Sequence, residues 1–210
     1  VERVTRPADP WPCGRLAERS LIHPAPDAMR PCVNEVLFET LRLRCRRWKP
    51  TDLDALLAVY GDADAMRWVG DGKPLAREGG EEWLRVTETN YRTRGYGMFA
   101  LEERDTGGVA GFIGLVHPGG QEEAEVKYAL LRSCWGQGLA TEAVRALLTY
   151  GWEAHRIRRV IATVAPANVA SRRVLARAGM HETEPRRGED GSVTLVYEWR
   201  VHDRTDLAGA

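Results

Sequence analysis

The order of apolar patterns along these 210 residues predicts an α/β sandwich built around one mixed sheet. Three observations carry that class. Strand-like and helix-like periods follow one another as β-α-α-β-β-β-α-β-α-β. Three consecutive strand patterns occupy the middle of the chain, and a later one, Arg159 to Val164, is apolar in the manner of a parallel strand. An apolar content of 43% and a charged content of 29% fit a chain that buries a single core.

Six of the eleven prolines fall within Val1 to Pro31, where apolar residues show no period. Residues 1–35 therefore read as a disordered or loosely attached extension. The folded domain is expected over 36–202, followed by a flexible tail at 203–210. Thr40 to Arg46 alternates apolar and polar residues as a half-buried strand does. A helix then starts after Pro50, with Thr51 as its cap and Asp54 at the capping-box position. A second helix runs from about Arg77 to Arg94, with Trp83, Val86 and Tyr91 inward and Gly95 as its stop. Two strands follow, Met98 to Glu103 and Val109 to Val116, joined by the turn Arg104 to Gly108. Glu122 to Leu131 is a third. The next helix places Leu139, Ala143, Leu147 and Gly151 on one stripe, widened by Ala140, Val144 and Leu148. Pro166 ends the strand Arg159 to Val164. Asn168 caps a helix reaching Ala178, and Gly179 closes it. The last strand, Val193 to Val201, follows the turn Arg187 to Gly191.

The corner Trp135-Gly136-Gln137-Gly138-Leu139-Ala140-Thr141 carries the chemistry. It joins a strand to a long helix and holds no acidic residue between Arg132 and Thr141. Glycines let the backbone approach a ligand there, and unpaired N–H groups at a helix start favour an anion. A dinucleotide fingerprint would need a third glycine at 141, which is Thr141, and a place at the first βα turn. A P-loop would need a lysine. Both fail. Instead the corner resembles the acyl-CoA pyrophosphate loop of the GNAT (general N-acetyltransferase) superfamily. Trp135 stands where Gln or Arg is usual, but the run Trp-Gly-x-Gly-x-Ala-Thr-Glu-Ala is typical of its ribosomal-protein acetyltransferase (RimJ/RimL-like) branch. The segment from Asn168 to Met180 looks like that branch's N-x-x-S-x-x-V-L-x-x-x-G-F, and Glu125-x-x-Tyr128 also fits.

The resemblance covers about Thr40 to Arg200 and implies a GNAT fold with a centrally splayed mixed sheet flanked by helices. It implies acetyl transfer from acetyl-CoA to a primary amine by direct attack. Backbone groups of Tyr128, Ala129 and Leu130 would then hold the pantetheine arm. N–H groups of Trp135, Gly136, Gln137, Gly138, Leu139 and Ala140, with Thr141, would hold the pyrophosphate. Asn168 would contact the arm, Arg173 the 3′-phosphate, and Glu125 would receive the amine's proton directly or through water. The family's usual tyrosine acid, seven residues after the asparagine, is here Leu175. Ser171 takes the place of the branch's thiolate-contacting serine. A non-catalytic acyl-CoA-binding sensor or scaffold is the alternative.

The cysteines form no CxxC pair and the histidines no HxxxH or HExxH spacing, so no metal site is expected. Cys134 adjoins the loop, but no histidine lies nearby to activate it, and it is not read as a nucleophile. Trp68 and Trp83 read as core packing. Formal net charge is zero, which offers no long-range attraction to nucleic acid or an anionic membrane. A cytoplasmic monomer or homodimer is expected. The acceptor leans toward a protein N-terminus or a weakly basic small amine. At pH 7 an α-amine costs roughly 1 kcal/mol to deprotonate, against about 4.6 for a lysine.

Overall fold

The computed structural model describes residues 36–69, 72–188 and 190–201. The expected extension over 1–35 and the tail at 203–210 lie outside them. The elements are β1 (Val36–Glu39), β2 (Leu43–Arg46), α1 (Leu53–Tyr60), α2 (Ala63–Met66), α3 (Arg77–Arg94), β3 (Met98–Glu103), β4 (Val109–Val116), β5 (Ala124–Leu130), α4 (Leu139–His155), β6 (Arg159–Val164), α5 (Val169–Arg177), β7 (His181–Glu182), β8 (Arg186–Arg187) and β9 (Val193–Arg200). The strands form one sheet in the order β1-β2-β3-β4-β5-β6-β9-β7, with β8 paired to β9. All pairs are antiparallel except β5 and β6.

Both faces of the central strands are covered, which explains their near-continuous apolar runs. Strand alternation sends Phe99, Leu101, Ile113, Leu115, Val126 and Leu130 to one side, where they meet the Leu139–Ala143–Leu147 stripe of α4. Met98, Ala100, Phe112 and Ala129 go to the other side, against Leu56, Tyr60 and Trp83 of α1 and α3. Tyr60 stacks on Phe112 at 4.2 Å between centroids, fixing the first helices over the middle of the sheet.

Four expectations change. Thr40 to Arg46 is not one strand: β1 and β2 form a hairpin, and Thr40, Leu41 and Arg42 are its turn. The Thr40 hydroxyl accepts from the Leu43 amide at 2.9 Å, a local bond that competes with extended pairing. Thr51 is not a cap. Pro50–Asp52 forms a 3-10 turn, and Asp52 accepts from the Lys49 amide at 2.9 Å and holds the buried Arg46 at 2.6 Å. In α3, Thr87 is buried where Val86 was expected inward, and Val86 is half-buried. The third middle strand is Ala124–Leu130, because Glu123 turns aside to Arg159 at 2.8 Å and Leu131 opens a 3-10 turn.

Candidate active site

Strands β5 and β6 pair only at Ala124–Val160 and Glu125–Ile161. Beyond Glu125 the two strands separate, as the resemblance implied. A cavity of about 550 Å³ opens between them, walled by Lys127 to Leu130 on one side and Ala162 to Val164 on the other. The start of α5 (Asn168, Ser171), the loop before α4, and α2 with Trp68 complete its lining. Trp68 is 44% exposed there, so it is a cleft residue rather than core, whereas Trp83 is buried as expected. A wider hollow of about 1080 Å³ lies between the β1–β2 turn and the outer side of α4, away from the splay.

The antiparallel ladder determines which main-chain groups of β5 face the cleft. The Leu131 amide donates to the Ala110 carbonyl at 2.8 Å, so by alternation Lys127 and Ala129 direct their main chain toward β4. The amides of Tyr128 and Leu130 then point into the splay. Ala129 lines the cleft, with its main chain directed toward β4. The Leu130 carbonyl accepts from the Trp135 indole at 2.8 Å, so Trp135 closes the end of the strand with its side chain as well as serving the loop.

At the corner, Gly136 and Gly138 have φ of 75° and 79°, the left-handed region where a Cβ is strained. Nothing lies within 4 Å of a Cβ built on Gly136, so the concavity is open. Leu139, Ala140 and Thr141 form the first turn of the 17-residue α4, whose amides lack helical partners. Gln137 donates to the Ser133 carbonyl at 2.8 Å and thus braces the loop by its side chain. The loop is also strutted from the β1–β2 turn. Arg42 donates to the Gln137 carbonyl at 2.8 Å and pairs with Glu142 at 2.6 Å, and Glu142 also accepts from Thr40 at 2.6 Å. Burial alone would raise the Glu142 pKa, but these donors outweigh it and hold the carboxyl below its ordinary range. Arg132 ties the loop to α2 through Asp64 at 2.5 Å.

Asn168 accepts from the Ser171 amide at 3.1 Å, capping α5 while lining the cleft. Ser171 meets a partner that sequence reading did not supply. The Tyr128 hydroxyl lies 2.7 Å from the Ser171 hydroxyl, bridging the splay from β5 to α5. Burial pushes the Tyr128 phenol up to about 12, partly offset by the bond to Ser171. Arg173 lines the cleft with Arg177, whereas Arg172 turns away to Glu182 at 3.7 Å. Cys134 is buried in the cleft wall.

Glu125 sits at the apex of the splay, only 2% exposed. It is held by the Lys127 ammonium and the Thr163 hydroxyl, by the Thr163 amide at 3.3 Å, and by Gln121 at 3.3 Å. Lys127 and Thr163, not Glu125, are the members of this cluster that reach the cleft lining. A signal for Lys127 existed: Glu125 and Lys127 are two apart, hence on one strand face, and Lys127 is one of only three lysines.

A family model described as an acetyltransferase (GNAT) domain matches residues 42–181. The chain is 30% identical over 172 residues to an uncharacterized Bacillus subtilis (strain 168) protein, YkkB, covering 80% of this chain and 97% of that one. It is 30% identical over 113 residues to the ribosomal protein uS5-alanine N-acetyltransferase of Escherichia coli (strain K12), covering 53% of this chain and 56% of that one. Its fold is similar to that of RimL, a ribosomal alpha-N-protein acetyltransferase, in complex with coenzyme A: TM-score 0.69, 19% identity, covering 80% of this chain and 99% of that chain. The proteins to which the chain is similar thus include ribosomal-protein acetyltransferases, at modest identity. The chain belongs to the GNAT acetyltransferase family and is an N-acetyltransferase.

Proposed function

We propose that the protein transfers an acetyl group from acetyl-CoA to a primary amine, either a protein or peptide N-terminus or a small weakly basic amine, by direct attack. The observation that carries this reading is the splay beyond Glu125 and Ile161, which ends at an anion-ready loop. The residues present fit the donor. The open concavity at Gly136 and the first turn of α4 suit a pyrophosphate, and the amides of Tyr128 and Leu130 suit a strand-like arm. Acetyl-CoA supplies the activated thioester. Asn168 commits its carbonyl oxygen to α5, so its amide nitrogen is the group that reaches the arm. Arg173 and Arg177 line the cleft and supply cations for the 3′-phosphate. Burial keeps the proton on Tyr128, and with Tyr128 as the donor in its bond to Ser171 the Ser171 hydrogen is free for the departing sulfur. Glu125 takes the proton of the amine that stands at the apex.

The lining supports the acceptor class. Its charged residues are Asp64, Arg67, Lys127, Arg173 and Arg177; Asp64 is already paired with Arg132 and Lys127 with Glu125, which leaves three arginines. Such a wall repels polycations and leaves an α-amine, which is readily neutral at pH 7, as the favoured nucleophile. The relatives named for α-amine acetylation of ribosomal proteins point the same way.

The test is free-thiol release from acetyl-CoA with a panel of N-terminal peptides and small amines. At least one α-amine should raise thiol release well above hydrolysis. Gly138→Asp, which places bulk and negative charge in the loop, should abolish coenzyme A binding. Tight binding by that variant, or an exclusive preference for polyamines, would overturn the assignment.

A further inference from the structure

The amine nearest the apex of the cleft belongs to the protein itself. Lys127 extends from β5 on the same face as Glu125, and its ammonium pairs with that carboxylate. It also donates to the Thr163 hydroxyl on β6 at 3.2 Å, so it spans the gap where the two strands begin to part. Its side chain is 27% exposed, against 3% for Glu125, and it lines the cavity. A nucleophile, a proton acceptor and the closed end of the cleft therefore coincide. An incoming acceptor amine has to displace this ammonium to reach Glu125.

We infer that Lys127 is a self-acetylation site, an inference that rests on the acetyl-CoA reading above. The ammonium gives one proton to Glu125, and the Lys127 nitrogen forms a bond to the thioester carbonyl carbon. The carbon–sulfur bond breaks, and the second nitrogen proton passes to the departing thiolate, giving an amide and the free thiol of coenzyme A. No oxidant or further reactant is needed. Glu125 keeps Gln121 and Thr163 as donors after the cation is lost.

The composition makes the test clean, because the chain has only Lys49, Lys73 and Lys127. Lys73 is exposed and Lys49 half-buried, so indiscriminate chemical acetylation would mark Lys73 first. The full chain is incubated with acetyl-CoA without any amine, across a range of protein concentrations, and the label is located by peptide mass spectrometry. Coenzyme A binding is measured in parallel by calorimetry. The expected result is one acetyl group at Lys127, formed at a first-order rate independent of protein concentration. Glu125→Gln should slow it by about a hundredfold, the scale of a lost general base. Lys127→Arg, which keeps a cation beside Glu125, should carry no label, and Gly138→Asp should remove the label on Lys127. Label confined to Lys49, Lys73 or the N-terminal amine, with coenzyme A bound and an added amine turned over, overturns self-acetylation and leaves the acetyltransferase reading standing. Absence of coenzyme A binding overturns both.

Discussion

Tyr128→Phe isolates one hydroxyl whose partner among the described residues is Ser171. The ring keeps its place under α5, and the change deletes the 2.7 Å bond across the splay. A neutral hydrogen bond of this kind contributes about 1 kcal/mol net. If that energy orients Ser171 toward the leaving sulfur, kcat falls about fivefold, since 1.36 kcal/mol is a factor of ten. KM for acetyl-CoA should hardly move, because the main-chain groups that hold the donor are untouched. The discriminating assay is a double-mutant cycle read by thiol release. Ser171→Ala should lower kcat further, and adding Tyr128→Phe to it should change nothing more, a coupling of about 1 kcal/mol. The hydroxyl, pushed up to about 12, should add no inflection to the rate profile at the ordinary phenol value of about 10. Additive effects, or a variant that changes KM alone, would show that Tyr128 packs the cleft without orienting Ser171.

Arg42→Ala removes the strut under the Gln137 carbonyl and a partly exposed ion pair with Glu142; discounted for solvent, about 1 kcal/mol is lost, and KM for acetyl-CoA should rise about fivefold at near-constant kcat. A proportional loss of kcat would place Arg42 elsewhere in the mechanism. Glu125→Gln should reduce turnover most at low pH, where amines are protonated, with coenzyme A affinity kept. It should also lower the melting temperature, since hydrogen bonds to a charged group are worth about 1.5–3 kcal/mol each; equal rates across pH would remove it from the proton path. His117 and His155 are both held below the ordinary histidine value by burial, His117 beside Tyr96 at 2.8 Å and His155 beside Tyr150 at 3.0 Å. Above about pH 6.5 both are neutral folded or unfolded and stability is full. Below it the unfolded chain binds protons that the folded one does not, so stability falls until the lowered folded values are passed. Thermal melts at stepped pH should show this decline, and His117→Gln with His155→Gln should flatten it.

The long elements were legible because their signals are periodic and locally capped. α3, β3, β4 and β6 occupy the expected residues, and Asn168 caps α5 as its type and place implied. Short elements escaped. α2 has four residues and β7 and β8 two each, too few to show a period, and β1 abuts a proline-rich stretch that masks it. The site divides in the same way. Gly136 and Gly138 announce themselves because a left-handed backbone demands glycine. The Tyr128–Ser171 pair joins residues 43 apart, and the Arg42–Glu142 strut joins residues 100 apart. Neither partner carries a local mark, since contact depends on how far β5 and β6 diverge.

That divergence also explains why the chain reveals its donor more readily than its acceptor. A parallel pair that stops at Glu125 and Ile161 leaves main-chain amides facing a cavity with no strand to satisfy them. Each such group, buried unpaired, would cost about 1–3 kcal/mol, so the fold persists only if water or a strand-like ligand completes the ladder. Any sequence that can part these strands serves that purpose, and the side chains along β5 are then free to meet other demands. Glu125 uses this freedom to clasp Thr163 and limit the opening, and Lys127 fills the gap beside it. The proposed donor would thus be bound by what the backbone lacks, which a glycine corner and a broken ladder betray. On the proposed reading, the acceptor meets side chains from α2, β5 and α5 that come together only in three dimensions, and an amine that is to reach Glu125 must displace Lys127.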